Sequence, residues 1–155
     1  MIPDIRRIDD LLTLMQWRRE VIENVFGAKP SDKLLENNRS YYLRHMSDGS
    51  HVAVVASVDG NDAGCGAICL TEELPSPDNP SGRCAYVMNI YVRCEYRTRG
   101  IGHAIVRWLV AAAKRKGCDK IYLETTEEAQ TLYKSIGFKA LPGMMKYADI
   151  QDSES

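Results

Sequence analysis

A mixed α/β fold, with a central sheet covered by helices on both faces, is predicted by three features of this 155-residue chain. Apolar residues recur at helical spacing before residue 50, short β-branched runs replace them from residue 51, and one strand–helix–strand crossover occupies residues 83–125. The crossover fixes the class, because a strand followed by a helix and a second strand returns over a sheet face.

The elements follow in order. Residues 9–27, DDLLTLMQWRREVIENVFG, place Leu11, Leu14 or Met15, Val21 or Ile22, and Val25 or Phe26 at three-to-four spacing, and Gly27 ends the helix. A second helix begins at an N-cap, Ser31, and carries Leu34, Leu35, Tyr42 and Leu43 on its apolar side before SDGS breaks it. HVAVVASV and AGCGAICLT are short strands joined at Asp59-Gly60, a hairpin signal. Three prolines make ELPSPDNPSG a loop. RCAYVMNIYV is a third strand, apolar on both faces in its second half, as burial under two helical layers requires. Gly100 to Lys116 form a helix with Ile101, Ala104, Ile105, Trp108, Leu109 and Ala112 on one stripe, closed by Gly117. CDKIYLET is a strand, EEAQTLYKSI a short helix, and GFKALPGMMKYA a final strand pair.

Composition narrows the function classes. Hydrophobic residues are 45% and charged ones 26% of the chain, the balance of a globular protein, and the net charge is −1. A nucleic-acid or acidic-membrane partner is therefore not expected, and the KRK at 114–116 is explained by the helix dipole. Five scattered cysteines without a C-x-x-C pair indicate neither a disulfide framework nor a metal site. With a charged N-terminus and no long apolar run, a cytoplasmic location is expected, with one domain over 1–148 and a disordered acidic tail over 149–155.

The chemistry concentrates in NIYVRCEYRTRGIGHA, where a buried strand ends, a loop turns and a helix begins. The first N–H groups of a helix lack internal partners and carry the positive end of its dipole, so this junction suits an anion. Gly100 and Gly102 let the anion approach the backbone, and Arg97 and Arg99 add charge-assisted donors, which makes a pyrophosphate the expected occupant. No G-x-x-x-x-G-K-[ST] occurs, and GIGHAI lacks the third glycine of G-x-G-x-x-G.

VMNIYVRCEYRTRGIGHAIVRWLVAAAKRKGC resembles the central motif of the GNAT superfamily of N-acetyltransferases, in which a bulged strand leads into R/Q-x-x-G-x-G/A and a helix, matched by Arg97, Gly100 and Gly102. EAQTLYKSIGFKAL resembles the superfamily's second block, A-x-x-L-Y-x-x-x-G-F, through Ala129, Leu132, Tyr133, Gly137 and Phe138. The likeness extends over residues 4–147 and implies the order β-α-α-β-β-β-α-β-α-β-β. It implies that residues 97–103, Ile101 included, hold the pyrophosphate of acetyl-CoA through the backbone of Arg99, Gly100, Gly102 and His103. It also implies that Ile90, Tyr91 and Val92 pair edgewise with the pantetheine arm, which requires the fourth and fifth strands to splay. The implied activity is acetyl transfer from the thioester to a primary amine of a small-molecule or peptide acceptor, without a metal; a homodimer is common among relatives.

Such a transfer needs a polarised carbonyl, a neutral amine and a proton for the departing thiolate. A bulged strand leaves N–H donors near Ile90–Val92 for the carbonyl. Tyr133, with an ordinary pKa of about 10 against about 8.5 for a thiol, is the expected acid unless it packs only as core. For the base, Glu124, Glu72 and Glu73 stand as alternatives, and Asn89 is expected to face the acceptor. Cys94 reads as an inert thiol, His103 as part of the helix start, His45 and His51 as surface or loop histidines, and Trp17 and Trp108 as core. The alternative function is a domain of the same fold that binds acyl-CoA for sensing without turnover. The acceptor-side charges Arg18, Arg19, Glu20, Glu23, Glu36 and Asp78 carry no single sign.

Overall fold

The computed structural model describes residues 2–149, so the end of the expected acidic tail, 150–155, lies outside the described residues. A short strand β1 (Asp4–Arg7) precedes helices α1 (Leu11–Val25) and α2 (Asp32–Ser47). Strands β2 (His51–Val58), β3 (Asn61–Glu72) and β4 (Arg83–Val92) follow, then a 3-10 turn at Cys94–Tyr96, helix α3 (Ile101–Arg115), strand β5 (Lys120–Tyr122) and helix α4 (Gln130–Ile136). The five strands form one sheet in chain order, antiparallel from β1 to β4, with β5 parallel to β4.

Local chemistry accounts for the boundaries. Asp10 and Ser31 cap α1 and α2 by accepting from the N–H groups of Thr13 and Leu34. Asp59 and Gly60 both have positive φ, 51° and 81°, as the type I′ turn of a two-residue hairpin demands. Gly27 and Gly117, φ 66° and 79°, follow the last residues of α1 and α3 in the left-handed conformation that stops a helix.

Helices cover both faces. On one, Ile101, Ile105, Leu109, Ala112 and Ala113 of α3 pack on Val52, Val54, Ala56 and Val58 of β2, on Ile68, and on Ala85 and Val87. On the other, Leu14, Trp17 and Val21 of α1 and Tyr42 of α2 meet Ala53, Val55, Cys65, Ala67 and Tyr91. Alternate residues of β2 thus serve opposite layers.

Three expectations need correction. The final strand pair does not form: residues 137–149 contain no strand, broken by Gly137 and Gly143 at positive φ and by Pro142 between them. Of the apolar side expected for α2, only Tyr42 is buried, while Leu34 and Leu43 are 40% and 56% exposed, because α2 docks through its C-terminal half with Tyr41, Tyr42 and Met46. Val25 and Phe26 lie at the exposed end of α1, whose buried residues are Leu14, Trp17, Val21 and Ile22. Among the described residues no helix is long and apolar enough to cross a membrane.

Candidate active site

The site is built on β4, whose two halves have different neighbours. Cys84, Ala85 and Tyr86 pair with Lys120, Ile121 and Tyr122 of β5. From Val87 to Val92 no described strand continues that pairing, because β5 ends at Tyr122, so this edge of β4 is open. On the β3 side the register shifts between Cys65 and Ala67, whose partners are Tyr91 and Met88, so β4 carries one extra residue there. The bulge centres on Asn89, at φ 59°. It also re-aims the strand: Met88 and Asn89 both turn toward α1 and α2, after which Ile90 and Val92 pack on the α3 side and Tyr91 on the α1 side.

Gly66 sits opposite this bulge. A Cβ there would lie 2.6 Å from Ile105 Cγ2 and 2.6 Å from Ile90 Cδ1, so the missing side chain lets α3 press onto the sheet and fixes the helix against β4.

The mouth of α3 lies just beyond the open edge. Arg97 folds back, its Nε donating to the Val92 carbonyl at 3.0 Å, and Arg99 sits 5.7 Å from the Tyr96 ring centre. Thr98 and Gly100 both have positive φ, 64° and 80°. The first helical bond runs from Ala104 N–H to the Gly100 carbonyl, so the N–H groups of Ile101, Gly102 and His103 have no acceptor within the helix. A Cβ on Gly100 would meet nothing within 4 Å, leaving the approach open, and Arg97, Arg99 and Gly100 are exposed. N–H donors without a helical acceptor and two exposed guanidinium groups thus meet at one helix mouth, an arrangement with the chemistry to take an anion.

Helix α4 reaches this mouth, since a Cβ on Gly102 would lie 3.6 Å from Leu132 Cδ2. Tyr133 beside it is 9% exposed, packs edge-to-face on Phe138 at 5.8 Å, and lines a cavity of about 750 Å³ walled by β5, α4 and residues 137–144. Burial pushes its hydroxyl above the ordinary phenol pKa, which keeps the proton on through the neutral range. Glu124 is placed differently from the expectation: β5 stops at Tyr122, and Glu124 follows it as an exposed residue. Its carboxylate acts on Tyr86, whose hydroxyl is pushed up first by burial and then by this charge. Glu73 is engaged by Lys120 at 3.1 Å, and Glu72 ends β3 opposite Arg83.

Under α1 and α2 the end of β4 and the residue after it, Arg93, meet a polar layer. Arg93 makes a two-pronged bond to Glu20, at 2.8 and 2.9 Å, and stacks 4.5 Å from the Trp17 ring centre. The Arg93 guanidinium holds the Glu20 carboxyl below the usual carboxylate range. Tyr91, buried beside Trp17, has its hydroxyl pushed up by burial and then by Glu20. Asn89 accepts from Arg18 Nη1 at 2.8 Å, so its side chain lies on the α1 and α2 side. The partnership of Arg18 had no sequence signal: it is adjacent to Arg19, an exposed residue 3.8 Å from Glu23, and only the fold distinguishes the two.

His51 is neither a surface nor a loop histidine. It is 7% exposed at the start of β2, takes a 2.9 Å hydrogen bond between its Nδ1 and the Tyr41 hydroxyl, and is pushed down to about 4, chiefly by burial. His45 stacks on Tyr41 and bonds Ser50. Trp17 is core, and Trp108 is partly buried against the α3 layer with Arg115 over its ring. Cys94 is an exposed thiol in the 3-10 turn.

Comparison with known proteins agrees with this fold. The crystal structure of a predicted acetyltransferase with acetyl-CoA from Clostridium acetobutylicum superposes with a TM-score of 0.82 over 95% of this chain and 96% of that one, at 22% identity. That of a GCN5-related N-acetyltransferase from Ralstonia eutropha gives 0.77 over 94% and 98%, at 25% identity. The thialysine N-epsilon-acetyltransferase of Sus scrofa is 33% identical over 95 residues, 47% of this chain and 56% of that protein. The chain spans about half the length of the curated relatives it matches. The model of the acetyltransferase (GNAT) family matches residues 11–138, across the bulged strand, the glycine loop and α4, and the chain belongs to that family.

Proposed function

We propose that this protein is an acetyl-CoA-dependent N-acetyltransferase that moves an acetyl group directly from the thioester to a primary amine, with Tyr133 as general acid. The observation that carries this reading is the continuity of the open β4 edge, Val87–Val92, with the unbonded N–H groups at the mouth of α3. An extended amide-bearing arm pairs with the former while its pyrophosphate sits on Gly100, Ile101, Gly102 and His103, with Arg97 and Arg99 beside it. The backbone of Ile90, Tyr91 and Val92 next to the bulge supplies N–H donors that polarise the acetyl carbonyl.

Acetyl-CoA supplies the activated acyl carbon. As the amine nitrogen bonds to that carbon and the C–S bond breaks, the amine loses one proton and the sulfur gains one. Tyr133 gives the sulfur its proton, and its burial keeps the phenol loaded at neutral pH. Glu124, as an exposed carboxylate beyond β5, has access to a water that removes the amine proton. The five thiols are free and suit a reducing cytoplasm, where we place the protein.

The test is release of free thiol from acetyl-CoA as amines are added. Thiol release should depend on the amine, and Tyr133→Phe should lower kcat about a hundredfold while leaving the KM for acetyl-CoA unchanged. Tight acetyl-CoA binding without thiol release across a broad amine panel would instead establish a non-catalytic acyl-CoA-binding domain.

A further inference from the structure

We infer that Arg18 is a specificity-determining residue that receives a carboxylate or phosphate carried by the acceptor amine; this rests on the N-acetyltransferase reading above. The inference starts from how the chain treats its arginines. Partly buried Arg93 is paired with both oxygens of Glu20, and even exposed Arg6 pairs with Asp62 at 3.1 Å. Arg18, between α1 and the β4 bulge, has no carboxylate partner among the described residues.

It is nevertheless held in place. Nε donates to Asn38 Oδ1 at 3.0 Å and Nη1 to Asn89 Oδ1 at 2.8 Å, so two amide oxygens from two other elements fix the plane of the guanidinium. Asn38 is itself oriented, because its Nδ2 donates to the Leu34 carbonyl at 2.8 Å. Asn89 is set by the left-handed residue of the bulge. The Phe26 ring lies 5.6 Å from the guanidinium carbon. Amide oxygens orient a cation without discharging it. The charge of Arg18 acts beneath α1 and α2, at Tyr42, His51 and Cys65, and that of Arg93 also reaches Cys65.

Such an arrangement is a receptor for an oxyanion. Of the five N–H groups of a guanidinium, two are engaged, and those left, both on Nη2 among them, have the fork geometry of a carboxylate or phosphate. Position adds the link to catalysis. Asn89 immediately precedes Ile90 of the open edge, so Arg18 is one hydrogen bond from the strand that would hold the thioester. An acceptor whose oxyanion docks on Arg18 presents its amine toward that strand, whereas a polycation is repelled.

The experiment uses the full chain, wild type and Arg18→Gln, with matched acceptors: O-phosphoethanolamine against ethanolamine, lysine against cadaverine, and spermidine as polycation. Calorimetry with O-phosphoethanolamine and with acetyl-CoA runs alongside, and thermal melts confirm folding. The oxyanion-bearing member of at least one pair should be favoured in kcat/KM by about ten- to a hundredfold, as a charge-assisted bidentate contact provides. Arg18→Gln should abolish that preference through KM with acetyl-CoA affinity unchanged, and Arg18→Lys should keep part of it. Which pair responds tells phosphate from carboxylate. Equal use of paired acceptors by the wild type, or an equal loss on both members in Arg18→Gln, overturns the inference. Arg18-dependent binding of O-phosphoethanolamine without any thiol release keeps the oxyanion site and sinks the acetyltransferase reading; thiol release confined to neutral amines does the reverse.

Discussion

The two faces of the sheet are built from different chemistry. The α3 face is apolar throughout, from Val52, Val54 and Ile68 across to Ile101, Ile105 and Leu109, and at Gly66 even a methyl group has no room. The α1 and α2 face interleaves its apolar residues with Arg18, Glu20, His51, Asn89 and Arg93, each tied to a partner on another element. The first face is a rigid support that sets the mouth of α3 against β4; the second tolerates charge because polar partners satisfy it.

That contrast predicts unequal responses. The largest is expected on the apolar face: Gly66→Val should cost about 3 kcal/mol or more, because its branches enter Ile105 and Ile90, and a urea titration reads the loss directly. A well-folded Gly66→Val of unchanged stability would refute the rigid-support view.

On the polar face the sensitive variable is pH. His51 is held near 4 against 6.5 unfolded, so its stabilisation is complete above 6.5 and is lost as the unfolded chain alone takes up the proton on the way down to 4. The wild type should lose about 2 kcal/mol between pH 7 and 5 and about 3 kcal/mol by pH 4, and His51→Phe should remove that slope. Denaturation midpoints across this range decide it; equal slopes in the two proteins would show that His51 does not titrate as a buried base.

At the mouth of α3, Gly100→Leu should weaken acetyl-CoA binding about a hundredfold, worth about 2.7 kcal/mol, since the new side chain meets a positive φ and enters the approach to the N–H groups. Calorimetry checks this, and the fold should survive because no atom lies within 4 Å of that Cβ. The smallest effect belongs to Glu20→Gln. Its pair with Arg93 is partly exposed, so the loss should be about 1 kcal/mol at pH 7. Because the Glu20 carboxyl is held below its ordinary 4.5, that contribution is present above 4.5 and fades as pH falls through the lowered value. Melting curves at pH 7 and pH 3 separate the two cases.

Much of the architecture was legible because it rests on local rules. Asp59-Gly60 writes its turn through backbone freedom, Ser31 its cap, Gly117 its stop, and the 83–92 run its strand to the residue. The glycine loop was legible for the same reason. What escaped depends on partners distant in sequence. Nothing near residue 51 reports that His51 will lie between Tyr41 and Tyr42, and Arg18 differs from Arg19 only in which way it faces. Residues 137–149 failed in the opposite sense, since a strand-like composition forms a strand only where a neighbouring edge accepts it, and β5 is three residues long.

By itself, then, the sequence determined the order of elements from α1 to α4, the two helical layers, and a glycine-bearing helix mouth followed by a tyrosine-bearing helix, because periodicity, turn residues and dipoles act over a few neighbouring positions. Only the tertiary structure decided that the pairing of β4 with β5 ends at Tyr86, that the bulge at Asn89 turns its side chain toward Arg18, and that Arg93 meets a carboxylate where Arg18 meets two amide oxygens. Those outcomes depend on which groups meet across 71 or 73 residues of chain, and such meetings are settled by packing.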